Sequence, residues 1–506
     1  MQKVVKVNPL DKVEFKNNVD YCVGTGRMGL ALQKEYQDQL EFVQEHIGFK
    51  HIRGHGLFTD DMAIYHQYKD ENGNIIDEYN FTYLDLVMDQ YISKGLRPFL
   101  ELGFMPKKMA SGDQTIFYWK GNVTPPEDIK RWNKMVQETL KHLINRYGLE
   151  DVVTWPIEVW NEPNLPGFWK DADMEGYFRL FKETFYAIKE VDSRFRVGGP
   201  AICGVDDERW MRCFMEFCSK EKIPLDFVTR HHYTTDVPDF QGHYGYPELR
   251  VLEDEFSVLR VSRDIIDSFP EYKGLEMHIT EFNTSYIGTA PLHDTNQNAA
   301  CVAYLLSCMG EVNESYSYWT FGDIFEEAGV PYTPFHGGFG MVANGVIPKP
   351  TFWAFKFFKE LQKAQEAHGD CVYKDKNLVI IKNDKGYTGV LWNDSRVRTG
   401  EGIDFDITLP ALEKEYFMSM KLVDEACCNP LKIWHDMGEP SSLSSSQKEL
   451  LKASSFPLVT SNIVKASGES INIKLNLKEH GLMMFELTPR FETVDRGYDY
   501  NRTMQF

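Results

Sequence analysis

The chain has 506 residues, 42% of them hydrophobic and 14% aromatic, which is more than one ordinary domain needs and ample for a large packed core. Its 55 Lys and Arg against 75 Asp and Glu give a formal net charge of −20, which argues against nucleic acid or an anionic membrane as partner and favours a neutral substrate. No run of 18 apolar residues marks a membrane span, the first residues lack a signal peptide's apolar stretch, and the nine cysteines form no CxxC pair, so the expected compartment is the cytoplasm.

The opening segment QKVVKV reads as a strand that needs a partner edge elsewhere in the chain. From about residue 20 to 360, short β-rich runs alternate with longer amphipathic segments. The runs are YCVGTG (21–26), HIRGHG (51–56), RPFLELGF (97–104), TWPIEVWNE (154–162), RVGGPAI (196–202), DFVTRHHY (226–233), EMHITEFN (276–283) and SYSYWTFGD (315–323). Between them lie helical patterns such as TYLDLVMDQYISKG and EGYFRLFKETFYAIKEV, and TFWAFKFFKEL follows the eighth run. Eight strand–helix units in a segment of this size predict a (β/α)₈ barrel; an open doubly wound sheet has the same local pattern.

After about residue 370 the period changes to that of strands. Ile471, Ile473, Leu475 and Leu477 alternate strictly with polar residues, the signature of a half-buried strand. The expected organisation is a strand in 1–15 that joins a β-sandwich, a catalytic barrel over 16–362, and an accessory β-sandwich over 363–490. A Ser-rich insertion interrupts the sandwich near 430–456, and 491–506 forms a C-terminal extension.

GTGRMG (24–29) matches the dinucleotide fingerprint GxGxxG. The fingerprint also requires an acid near the end of the second strand to hold a ribose hydroxyl. Here that strand ends in Arg53 and His55, so a nicotinamide cofactor is not expected.

Two carboxylates carry the chemical signal. Glu162 ends the fourth run, behind apolar TWPIEVW and ahead of Pro163, and Glu281 ends the seventh. In a (β/α)₈ barrel all strand C-termini open on one face, so residues far apart in sequence meet across the mouth. A facing pair of acids suits glycoside hydrolysis, one protonated and one ionised. Plain alternation puts Asn161 and Glu162 on opposite faces, so both reach the mouth only if the strand end departs from the ideal pleat. No metal or cofactor is expected, because no cluster in the sequence shows ligand spacing.

WNEP at the end of strand four and TEFN at the end of strand seven resemble the acid/base and nucleophile motifs of retaining glycosidases. YCVGTGRMGLALQKEY, GFMPKKMASG, EVWNEPNLPGFWKDAD, SYWTFGDIFEE and FHGGFGMV resemble glycoside hydrolase family 39 β-xylosidases more closely still, over nearly the whole chain. The resemblance implies a retaining, exo-acting β-xylosidase that takes xylose from the non-reducing end of short xylo-oligosaccharides. Glu162 would be its acid/base, Glu281 its nucleophile and Asn161 the partner of the sugar 2-hydroxyl. His55, His231, Tyr233 and Trp319, at the ends of strands two, six and eight, would surround the sugar. Phe117 would cover it, and Glu326 and Glu327 would bond its hydroxyls. Of the pair His231-His232, alternation lets only one face the barrel, and His231 is the expected one. Arg53 shares the direction of His55 by period two and would anchor Glu281. The family also implies a homotetramer. The alternatives are an α-L-iduronidase-like or other retaining glycosidase, and a non-catalytic carbohydrate-binding protein on the same barrel.

Overall fold

In the computed structural model, which describes residues 1–331, 333–491 and 497–504, the eight β-rich runs form one closed parallel barrel. Its strands are β1 (Cys22–Thr25), β2 (His51–Gly54), β3 (Arg97–Leu102), β4 (Ile157–Val159), β5 (Val197–Ile202), β6 (Phe227–Tyr233), β7 (Met277–Asn283) and β8 (Ser315–Tyr318). Each pairs with the next, and β8 closes on β1, so the open-sheet alternative is excluded. The helices α1 (Lys34–His46), α2 (Thr82–Ser93), α3 (Ile129–Tyr147), α4 (Met174–Val191), α5 (Asp207–Glu221), α6 (Leu252–Asp267), α7 (Asn296–Ser307) and α8 (Pro350–Glu366) follow the strands in turn.

Local sequence explains these elements. Strands covered on both faces read as unbroken apolar runs, and all six residues of β5 are buried. In α3, Trp132, Met135, Val136, Thr139, Leu140 and Leu143 recur at steps of three and four and form the buried stripe. The Asp128 carboxylate accepts from the Lys130 N–H at its N-terminus, and Gly148, with φ of 90°, follows its last turn.

Backbone irregularities at the barrel mouth decide which side chains meet there. In the pairing of β6 with β7, Arg230 lies opposite Ile279 and His231 opposite Glu281, so Thr280 is an extra residue. Such a bulge re-aims its neighbours. Thr280 and Glu281 both turn inward, where Thr280 Oγ1 donates to Glu158 and Glu281 accepts from Arg53. β4 stops at Val159, earlier than its sequence suggests, because Trp160 and Glu162 take left-handed conformations with φ of 73° and 43°. That departure from the pleat brings Asn161 and Glu162 to the same side. A hydrogen bond of 3.0 Å from the Glu162 N–H to the Ala201 carbonyl fixes it.

The glycines of GTGRMG serve packing. A Cβ at Gly24 would lie 2.6 Å from Trp319 Cε3, and one at Gly26 would lie 2.9 Å from Leu30 Cδ1. A short 3₁₀ segment, Met28–Leu32, follows in place of the helix N-terminus that would receive a pyrophosphate.

The C-terminal part is a two-sheet sandwich. Six antiparallel strands between Asp370 and Pro489 form one sheet. The other joins Ile403–Pro410 to Ser470–Leu477 and, in parallel, to the N-terminal strand Gln2–Lys6. Ile471, Ile473, Leu475 and Leu477 are buried and the residues between them exposed. The insertion carries two helices, Pro430–Asp436 and Ser445–Ala453, the second with a capping box between Ser444 and Gln447. Of the expected extension 491–506, residues 492–496 and 505–506 lie outside the described residues.

Candidate active site

Arg53 on β2 is the centre of the site. It is fully buried, and its guanidinium reaches three carboxylates, one amide and the His231 ring. Nε donates to Glu158 (2.6 Å), one terminal nitrogen to Glu281 (2.7 Å), and the other to Asn161 Oδ1 (2.8 Å) and Glu101 (2.9 Å). One cation faces three carboxylates here and cannot neutralise them all. Burial pushes Glu101 up to about 8 despite Arg53.

Glu162 and Glu281 meet across the mouth. One oxygen of each, with a ring nitrogen of His231, all lie within 4.8 Å of one another. His231 Nδ1 hydrogen-bonds Glu162 Oε1 at 2.8 Å, and the Tyr233 hydroxyl donates to Glu281 Oε2 at 2.9 Å. Burial raises both acids above the ordinary carboxylate range. Glu162 goes well above it, with the charge of Glu281 adding to burial. Arg53 and His55 oppose the rise at Glu281, so the two environments are pushed apart. Burial, followed by Arg53, drives the His231 ring well below its usual range, so it is neutral. Its Nε2, facing a guanidinium nitrogen at 3.4 Å, is the acceptor, which leaves Nδ1 as the donor to Glu162.

His55, Trp319, Phe117 and Glu327 stand near this pair. His55 is buried, bonds Glu101 through Nδ1 at 2.7 Å, and lies 3.5 Å from Glu281 and 3.6 Å from Glu327 through Nε2. Its ring stands 4.6 Å from that of Trp319 and 5.9 Å from that of Phe117. Trp319 follows the last residue of β8 and packs edge-on against Phe325. Glu327 is raised well above the carboxylate range by burial and by Glu281, and its Oε1 is buried without a hydrogen-bond partner. Glu326 pairs with Arg27 at 3.0 Å and accepts from Gln33 at 3.2 Å.

Glu101, Glu158 and Thr280 belong to the site and escaped the sequence reading. Glu162 is marked by ending its run, whereas Glu101 in RPFLELGF and Glu158 in TWPIEVW lie inside theirs; an acid within an apolar strand run is the signal that points to them.

Among the described residues, two groups have donor types that bind metals, His55–Glu101–Glu281 and Glu162–His231–Glu281. They converge from separate strands, so sequence spacing does not reveal them. In the first, Arg53 already bonds both carboxylates and occupies the place of a cation. In the second, His231 Nδ1 hydrogen-bonds Glu162 at 2.8 Å and lies 3.4 Å from Glu281.

Known proteins match the chain over most of its length. The family model described as glycosyl hydrolases family 39 matches residues 3–470. A β-xylosidase of Geobacillus stearothermophilus is 44% identical over 492 residues, covering 96% of this chain and 95% of that protein. One of Caldicellulosiruptor saccharolyticus is 35% identical over 441 residues, with 86% and 87% covered. A solved structure described as a monomeric β-xylosidase from Caulobacter crescentus superimposes with a TM-score of 0.85 at 30% identity, over 96% of this chain and 99% of that one. The barrel with its paired acids is thus that of a glycoside hydrolase, and the chain belongs to glycosyl hydrolases family 39.

Proposed function

We propose that the protein is a retaining, exo-acting β-xylosidase that releases xylose from the non-reducing end of β-1,4-xylo-oligosaccharides and so serves xylan degradation. The observation that carries the reading is the short gap between Glu162 and Glu281, whose nearest oxygens lie within 4.8 Å. Retaining glycosidases hold their carboxyl groups about 5–5.5 Å apart, whereas inverting ones leave about 6.5–9.5 Å for a water.

Glu281, ionised by its contacts to Arg53 and Tyr233, attacks the anomeric carbon. Glu162 gives its proton to the glycosidic oxygen, and the aglycone leaves as an alcohol. Its raised affinity for a proton suits it to that role near neutrality. Because Oε1 accepts from His231, Oε2 carries the acid proton. Glu162, now ionised, then takes a proton from water, which breaks the xylosyl–Glu281 ester and restores both groups. The Asn161 Nδ2 group is buried without a hydrogen-bond partner, which supports its donating to the sugar 2-hydroxyl. That contact strengthens as positive charge develops on the ring. The edge of Trp319 beside His55 supports a platform beneath the sugar, and Phe117 its cover.

The domain division at about residue 362, a homotetramer and a cytoplasmic location complete the proposal. The apolar side chains of Val459 and Ile463, exposed on the edge strand Leu458–Lys465, support self-association. The nine unpaired cysteines support a reducing compartment. No described helix is long and apolar enough to cross a membrane.

The test is covalent trapping. A 2-deoxy-2-fluoro-β-xyloside with a good leaving group should inactivate the enzyme stoichiometrically and add its sugar mass to the peptide holding Glu281. A label on another residue, or rapid turnover without a trapped ester, contradicts the assignment.

A further inference from the structure

Beside the catalytic pair lies a cavity of about 440 Å³, which shares Phe117 and Glu327 with the sugar site above and whose other lining residues the chemistry above does not use. Its walls come from four segments at the barrel mouth, the first being the loop after β3 with Phe117. A hairpin after β6 pairs Asp239–Gln241 with Tyr244–Tyr246 and contributes Phe240. The loop after β7 contributes Tyr286, and the loop after β8 contributes Phe325, Glu327 and Ala328–Pro331.

The cavity is continuous with the site. Glu327 lines it and also lies 3.6 Å from His55 Nε2. Phe325 lines it and packs on Trp319 with ring centroids 5.8 Å apart. The Tyr286 ring stands 6.4 Å from that of Tyr233, whose hydroxyl bonds Glu281. The second large cavity at this end, lined by Asp60, Asp61, Trp119 and Lys120, includes none of the residues around the acid pair.

Phe240 and Tyr286 are 56% and 41% exposed, which is costly for large rings on a water-facing hairpin and loop unless something covers them. They are also held in place. The Gly245 N–H donates to the Thr289 carbonyl at 3.0 Å, so the hairpin is tied to the loop that carries Tyr286. A Cβ at Gly288 would lie 2.9 Å from the Phe339 ring, so that loop rests directly on an aromatic support. Fixed, exposed aromatic faces with polar groups such as Thr289 and Glu327 nearby suit a neutral pyranose. Its C–H face lies on a ring and its hydroxyls find donors and acceptors.

The geometry points to this cavity as the site of the leaving-group sugar, with Phe240 and Tyr286 as residues that set preference for a sugar aglycone. This rests on the β-xylosidase reading above. A retaining enzyme that cleaves xylobiose must hold the second xylose while Glu162 protonates the bond between the two sugars.

The test compares kcat/KM for β-1,4-xylobiose, which fills this site, with that for β-D-xylosyl fluoride, which does not. Phe240→Ala and Tyr286→Ala should each lower the xylobiose-to-fluoride ratio about tenfold, the loss of one ring–sugar contact. Trp119→Ala, in the other cavity, should leave the ratio within about twofold of wild type. An unchanged ratio in both first variants, or a fall confined to Trp119→Ala, overturns the assignment while leaving the β-xylosidase reading standing. Wild-type protein that turns over neither substrate overturns both.

Discussion

Replacing Arg53 by Met probes the site where its electrostatics are concentrated. The methionine keeps most of the volume and removes the polar contacts to Glu158, Glu281, Asn161, Glu101 and His231. Removing one partner of a buried ion pair costs about 3–5 kcal/mol, and here three buried carboxylates lose their shared cation. Proton uptake by those carboxylates limits the cost, so a loss of that size, and no larger, is expected in urea denaturation near neutral pH. The same uptake disables the nucleophile. A cation in direct contact lowers a carboxylate by about 1–3 pKa units, so the acid limb of kcat/KM, set by Glu281, should move up by that much. Activity on 4-nitrophenyl β-xyloside should then fall roughly 10- to 1,000-fold on that limb and recover as pH rises. Arg53→Lys, which keeps the charge without the planar fork, should shift the limb less. A uniform loss at every pH, with the limb unmoved, would show that Arg53 acts by geometry alone and refute this reasoning.

Glu162→Ala should cost at least about 100-fold on xylobiose and far less on an activated aryl xyloside, whose leaving group needs no proton; azide should restore turnover of the aryl substrate. Equal losses on both would count against the acid/base role. Glu162→Gln tests the pH dependence of stability. Because burial and Glu281 raise Glu162 in the folded state, its favourable contribution is full below the unfolded carboxylate pKa of about 4.3 and is lost as pH rises through the folded value. The melting temperature of Glu162→Gln relative to wild type should therefore climb across that interval, and a flat difference would deny the shift. Lys349 is fully buried between Asp294 (2.6 Å) and Asp323 (2.7 Å) and donates to the Gly338 carbonyl. Lys349→Met should destabilise by about 3–5 kcal/mol in urea, and adding Asp294→Asn and Asp323→Asn should recover part of it. No recovery would mean that the cost is one of packing.

Much of this was legible in the sequence because it follows from periodicity. Eight buried parallel strands read as apolar runs, and Glu162 and Glu281 stood out as acids where such runs end. The missing parts depend on contacts between strands. Nothing local in TEFN announces that Thr280 is an extra residue opposite β6, yet that bulge is what turns Glu281 inward. Alternation likewise separates Asn161 from Glu162, and only the left-handed turns at Trp160 and Glu162 reunite them. Glu326 and Glu327 are adjacent and chemically identical, and what parts them is Arg27, 299 residues earlier in the chain. Glu101 and Glu158 were visible but unassigned, since their role exists only once Arg53 is known to reach across the barrel.

The central claim is that Glu281 attacks the sugar and Glu162 serves it from a few ångströms away. The most direct measurement is proton NMR of 4-nitrophenyl β-D-xylopyranoside hydrolysis by wild-type protein and by Glu281→Ala. Wild-type protein should give β-xylose as its first product, and the variant should release none. Initial α-xylose, or β-xylose from Glu281→Ala at the wild-type rate, would contradict it.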